Sequence, residues 1–197
     1  YSYLFESVHG GEKWGRYSII GLPCSTVLRV NRYEITVLRD GDVVETATAT
    51  DPLAWIEMFQ ARYRSPEMPD MPRFTGGLVG YFGYDTVRYI EPRLAAFDQQ
   101  DLLSCPDIIL MVSDELVVFD NLSGRMYLIV HADAGRGDSL DQTNARIGEL
   151  IERMQQGAPR HRARETREVN ESDFVSGFTE AGFKQAVARI KQYILDG

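Results

Sequence analysis

LFESVHGGEKWGRYSIIG, residues 4–21, sets the reading of the whole chain. An acid and a hydroxyl, Glu6 and Ser7, precede a Gly-Gly pair. Trp14, Arg16 and Tyr17 then lead into an apolar run. Residues 4–7 and 17–20 read as two short strands joined by a loop over residues 9–13. The stretch carries more hydrogen-bonding and aromatic chemistry than an ordinary edge strand uses.

Working outward, residues 26–30 and 33–38 are rich in β-branched side chains and alternate, as strands do. Asp40-Gly41 is a tight-turn pair, so residues 43–48 are expected to return antiparallel beside residues 35–39. Asp51-Pro52 marks a helix start, with the acid as N-cap and the proline at the first helical position. Leu53, Ile56, Phe59 and Tyr63 form the apolar face of that helix. Residues 65–72 read as an irregular connection. Residues 74–85, FTGGLVGYFGYD, read as a buried strand whose glycines let another backbone approach closely.

Residues 85–91 are expected as a short helix ending before Pro92, and residues 95–104 as a polar surface loop. Residues 107–112, 115–120 and 126–131 read as a β-meander with a turn at 121–124. Residues 139–156 form a helix that points Leu140, Ile147, Leu150, Ile151 and Met154 inward. Residues 157–169, with Arg160, Arg162, Arg164 and Arg167, read as a solvated basic linker. Thr179 then caps a last helix, Phe178 and Phe183 making its hydrophobic staple. Phe183, Val187, Ile190 and Ile194 form its apolar stripe, and Gly197 sits where a C-terminal cap would be. That stripe has nothing after it to pack against. The chain therefore reads as a piece of a larger enzyme, carrying a control site and not the catalytic one.

The 197 residues suffice for one sizeable core, or one core and the start of another. At 44% hydrophobic and 25% charged, the composition is that of an ordinary soluble globular protein. No run approaches the roughly eighteen apolar residues of a membrane helix, and residues 1–7 are no signal peptide. A net charge of −8 argues against nucleic-acid binding. Cys24 and Cys105 have no CxxC spacing and read as two buried thiols in a reducing compartment. His9, His131 and His161 are scattered, which argues against zinc.

Catalytic motifs are missing: no GxSxG elbow, phosphate loop or HExxH occurs. GGLVGYFG lacks the phosphate-loop lysine, Asp114-Glu115 reads as surface charge, and His131 as a hydrogen-bonded structural histidine. Binding fares better. Glu6 suits an ammonium, Arg16 a carboxylate, and Ser7 either one. Trp14 and Tyr17 offer faces for a planar group. Together they fit a zwitterionic aromatic amino acid. The plainer alternative is an aromatic-rich hairpin with Glu6 and Arg16 as a surface ion pair.

LFESVHGGEKWGRYSIIG, GGLVGYFGYDTVR (residues 76–88) and FTEAGFKQAVARIKQYILDG (residues 178–197) resemble the large subunit of anthranilate synthase, in the same order and at similar spacing. The resemblance implies an α+β fold, a largely antiparallel sheet with packed helices. It implies conversion of chorismate to anthranilate and pyruvate, with ammonia from a glutamine amidotransferase partner and a magnesium ion, in the cytoplasm. It implies that residues 1–157 form an amino-terminal regulatory and structural domain and 158–170 a basic linker. Residues 171–197 would then be the first helix of the chorismate-binding domain.

In that family this region binds tryptophan, the feedback inhibitor. By position the contacts are Phe5, Glu6 and Ser7, then Trp14, Gly15, Arg16 and Tyr17, with Phe5 replacing a more usual leucine. The family's catalytic residues and magnesium ligands match nothing here, so no catalytic residue or metal ligand is assigned. Aminodeoxychorismate synthase, of the folate pathway, and a free-standing amino-acid-binding module are the alternatives.

Overall fold

A computed structural model describes residues 1–9, 13–66, 68–91, 93–94, 104–133, 135, 137–157 and 168–197. The strands are β1 (Tyr3–His9), β2 (Lys13–Gly21), β3 (Thr26–Asn31), β4 (Glu34–Arg39), β5 (Asp42–Thr48), β6 (Gly77–Phe82), β7 (Ile108–Ser113), β8 (Glu115–Asp120) and β9 (Arg125–Val130). The helices are α1 (Pro52–Gln60), α2 (Val87–Ile90), α3 (Leu140–Gln155) and α4 (Glu180–Asp196). The chain divides into two compact units, Tyr1–Gly157 and Ala158–Gly197.

In the first unit the strands make two antiparallel sheets, ordered β1-β2-β8-β9 and β5-β4-β3-β7-β6. Local chemistry sets several of the joints. Asp40 and Gly41 both take positive φ, 53° and 94°, and fold β5 back along β4. The Asp51 carboxylate accepts from the backbone N–H groups of Leu53 and Ala54, each at 3.0 Å, which starts α1. A cap of this kind stabilises by about 1 kcal/mol. The helix lays Ile56 and Phe59 onto Leu28, Val30, Ile35 and Ile108 of the five-stranded sheet. Each such buried side chain contributes about 1.5–3 kcal/mol. Leu53 and Tyr63 pack at the margin of the same cluster, as their spacing predicts.

The expected meander does not form. β8 and β9 are a hairpin, but β7 belongs to the other sheet. A single residue, Asp114, separates β7 from β8. Even the shortest hairpin loop needs about two residues, so the chain crosses between sheets instead of folding back. Phe74 packs into both the Val27–Val79–Met111 cluster and the Leu116–Val118–Ile129 cluster, joining the sheets.

β6 also differs from expectation. It pairs only with β7, at the edge of its sheet, and Tyr81 and Phe82 are 42% and 54% exposed. The close approach read from its glycines does hold at Gly80, where a Cβ would come within 1.8 Å of the Ile109 carbonyl oxygen. On α3, Ser139 makes a capping box with Gln142, but only Leu150 is buried; Leu140, Ile151 and Met154 are exposed. One turn before Leu150, on the same side of α3, Arg146 donates from Nε and Nη2 to Glu115 at 2.8 and 2.9 Å. Glu115 is therefore an anchoring carboxylate and not idle surface charge. Cys24 and Cys105 form no disulfide, and Cys105 is exposed instead of buried, lying ahead of β7.

In the second unit Thr179 caps α4 by accepting from the Gly182 N–H at 3.1 Å. The Phe178 and Phe183 rings meet edge-on at 6.3 Å, the staple read from the sequence. Residues 158–167, most of the expected linker, and 95–103, most of the expected polar loop, lie outside the described residues.

Candidate functional site

The seven candidate residues fall on one hairpin, β1 and β2. Glu6 pairs with Ser18 and Phe5 with Ile19, so by strand alternation Glu6 and Phe5 take opposite faces. The register shifts between Glu6 and Val8, a β-bulge next to Ser7. Ser7 and Trp14 belong to the strands, while their side chains lie outside what is described, as do residues 10–12.

Phe5 is 50% exposed, its ring 4.9 Å from that of Tyr3. Tyr3 in turn lies over Gly21, where a Cβ would stand 1.9 Å from its ring, and its hydroxyl is 2.7 Å from Ser113 Oγ. Only glycine lets that ring settle there. The first strand of the hairpin is thereby tied to β7 in the opposite sheet.

The other strand is tied down at Gly15–Arg16–Tyr17. Arg16 donates from Nε and Nη2 to the two oxygens of the buried Asp120 carboxylate at 3.3 and 3.1 Å. Asp120 also accepts from the backbone N–H groups of Leu122 and Ser123. With Arg16 as the main cause, these donors hold its carboxyl down at about 2. Asn121 adds two bonds, its side chain donating to Gly15 O at 2.9 Å and its N–H to Arg16 O at 2.7 Å. The Arg16 guanidinium lies 4.8 Å from the centre of the Tyr17 ring. Tyr17 is half-buried against the Leu116–Val118–Ile129 cluster. Gly15, Arg16, Asn121 and Leu122 line an open hollow at this corner.

The geometry therefore brings Gly15, Arg16 and Tyr17 together and anchors Gly15 and Arg16 to Asp120 and Asn121 by hydrogen bonds. It replaces the Glu6–Arg16 surface pair with an Arg16–Asp120 pair. Asp120 and Asn121 join the site through the pairing of β2 with β8 and are not among the residues the sequence singles out. Their turn-forming chemistry was visible, but no local signal ties them to a strand about a hundred residues earlier. With 56% of its side-chain surface exposed, Arg16 remains accessible to a second acceptor.

A more enclosed cavity of about 480 Å³ lies elsewhere in the unit, lined among others by Tyr63, Thr75, Ser113, Asp114 and His131. His131 Nε2 lies 2.5 Å from Thr75 O, so this histidine is hydrogen-bonded within the fold, as its sequence context predicts. Among the described residues no three His, Cys, Asp or Glu side chains gather to hold a metal ion. No helix among them is long and apolar enough to cross a membrane.

This antiparallel two-sheet unit, with its anchored hairpin, has relatives. Residues 10–197 match the chorismate binding enzyme family, and the chain belongs to that family. It is 52% identical over 198 residues to anthranilate synthase component 1 of Pseudomonas aeruginosa, and 50% identical to that of Pseudomonas putida. Anthranilate synthase component 1 of a Neisseria meningitidis strain is 44% identical over 200 residues. In each case all of this chain is covered, and 40% of the relative. The chain thus spans about two-fifths of the length of the curated relatives it matches. The crystal structure of anthranilate synthase component I from Streptococcus pneumoniae superimposes with a TM-score of 0.57. That likeness, at 21% identity over 77% of this chain and 34% of that one, concerns the fold.

Proposed function

We propose that this chain serves as part of an anthranilate synthase component I, and that its β1–β2 hairpin forms one wall of a tryptophan feedback site. The observation that carries this reading is identity of 52% with an anthranilate synthase component running through all of this chain. The site reading draws on the hairpin itself. Arg16 is held in place by Asp120 yet remains accessible, so it offers a preset donor for the carboxylate of an amino acid. On the face that carries Arg16, Glu6 and Ser7 would supply an acceptor set for its ammonium and Trp14 aromatic surface, while Phe5 and Tyr17, on the face opposite Glu6, back the wall, and Asn121 holds the Gly15 backbone.

Residues beyond the chain's two-fifths of the relatives' length would supply the chorismate site, its magnesium ligands and the remaining inhibitor contacts. A glutamine amidotransferase subunit would deliver ammonia, and the assembly would work in the cytoplasm. An inhibitor acts only by binding one conformation better than another. Tryptophan on this wall favours the arrangement that binds chorismate less well. The test is anthranilate fluorescence from chorismate, ammonia and magnesium with a protein of the relatives' full length. Tryptophan-sensitive anthranilate production is expected, and no activity from residues 1–197 alone. Absence of anthranilate, or aminodeoxychorismate in its place, would overturn the assignment.

A further inference from the structure

The cavity of about 480 Å³ beside His131 has the size of a small-molecule site, for which about 300–1,000 Å³ is usual. It is separate from the Arg16 corner. Asp114, in its lining, precedes β8, whereas Asp120, the partner of Arg16, ends that strand. The length of β8 puts about 20 Å between the two.

The Gly-Gly pair that leads into β6 shapes the cavity. Gly76 and Gly77 both take positive φ, 144° and 137°. A Cβ on Gly76 would stand 2.6 Å from Ser113 O and 2.9 Å from His131 Nε2, so only glycine lets this backbone close against both. Leu78 and the buried Val112 add apolar lining.

Donors and acceptors reach the cavity from different elements. The segment after α1 brings Tyr63 and two arginines. Arg62 is committed to the fold, holding Glu45 at 2.6 and 2.9 Å and lying over the Trp55 and Phe59 rings. Among the described residues no carboxylate pairs with Arg64, which leaves it as the cation for a ligand. Asp114 comes from the crossing between β7 and β8, and Asp133 and Asp138 from the loop after β9. That loop is braced within itself. Asp138 Oδ2 accepts from the Asp133 N–H at 2.8 Å, and Asp133 Oδ1 from the Gly135 N–H at 2.9 Å. Groups held in advance cost little to order when a ligand arrives.

We propose that this cavity is a second ligand site, which takes a free aliphatic α-amino acid as its zwitterion. The carboxylate pairs with Arg64, the ammonium with Asp138, and the side chain lies on Leu78 and Val112. Opposite charges set in one cavity discriminate against a ligand that carries only one of them, because the other stays without its partner. The inference is independent of the tryptophan reading of β1 and β2.

Hydrogen exchange read by mass spectrometry on a protein of the relatives' length tests it, with leucine as the probe. Leucine is expected to slow exchange in residues 75–78 and 112–114 and to leave β1 and β2 unchanged. Leucinamide lacks the carboxylate and N-acetylleucine the ammonium. Each is expected to bind about tenfold more weakly, the worth of one hydrogen bond to a charged group. Arg64→Gln is expected to remove the preference for leucine over leucinamide while keeping that over N-acetylleucine, a split that loosening of the fold does not produce. Asp138→Asn is expected to do the converse. No slowing at those residues with about 10 mM leucine overturns the proposal, as does equal binding of leucine and leucinamide. Slowing confined to β1 and β2 also overturns it, and assigns the leucine to the hairpin.

Discussion

Arg16 and Asp120 meet through two hydrogen bonds, Nε to Oδ1 at 3.3 Å and Nη2 to Oδ2 at 3.1 Å, across a separation of 104 residues. The pair locks the start of β2 to the turn after β8, where Asn121 also grips Gly15 and Arg16. A ligand donor fixed this way loses little freedom on binding. Asp120 is therefore the positioning residue for the hairpin's cation.

The pair makes stability sensitive to acid. Asp120 has its carboxyl held at about 2, below the unfolded value near 3.9. Its contribution is therefore full above about pH 4 and is lost as pH falls towards about 2. Urea unfolding midpoints measured across that window should drop for the wild type. Asp120→Asn should flatten that part of the curve, and an unchanged slope would count against the pair.

Gly80 has no room for a side chain, since the obstacle at 1.8 Å is the backbone carbonyl of Ile109. Gly80→Ala must push β6 away from β7, at a cost of about 1–3 kcal/mol. Thermal unfolding followed by circular dichroism would register this as a clear fall in midpoint.

The helix α3 separates buried from exposed apolar positions sharply. Leu150→Ala should destabilise by about 2–5 kcal/mol, as for other core leucines. Leu140→Ala, at a residue 73% exposed, should stay within about 0.5 kcal/mol of wild type. Equal losses in chemical denaturation would mean that the exposed side of α3 is covered.

These cases show what the sequence could and could not disclose. Caps and turns are legible because their energy is local: Asp51, Asp40-Gly41, Thr179 and the Phe178–Phe183 staple each act within a few residues. The partner of β7 is not, because β7 and β8 are both apolar and alternation does not say which sheet receives each. The inward face of α3 was overdrawn, since helical spacing marks apolar positions without saying which of them the sheet reaches. At the site, the hairpin's aromatic and charged residues were readable, yet Asp120 and Asn121 were not. Their role depends on a pairing of β2 with β8 that no local pattern encodes.

The central claim is that the β1–β2 hairpin forms a wall of a tryptophan feedback site. Its most direct test is a tryptophan titration of anthranilate formation by a protein of the relatives' length, with each variant compared to its own uninhibited rate. Ser7→Ala should raise the half-inhibitory concentration about tenfold, the worth of one hydrogen bond to a charged group. Asp120→Asn, acting through Arg16, should raise it in the same direction. An inhibition curve that coincides with wild type for both variants would contradict the account.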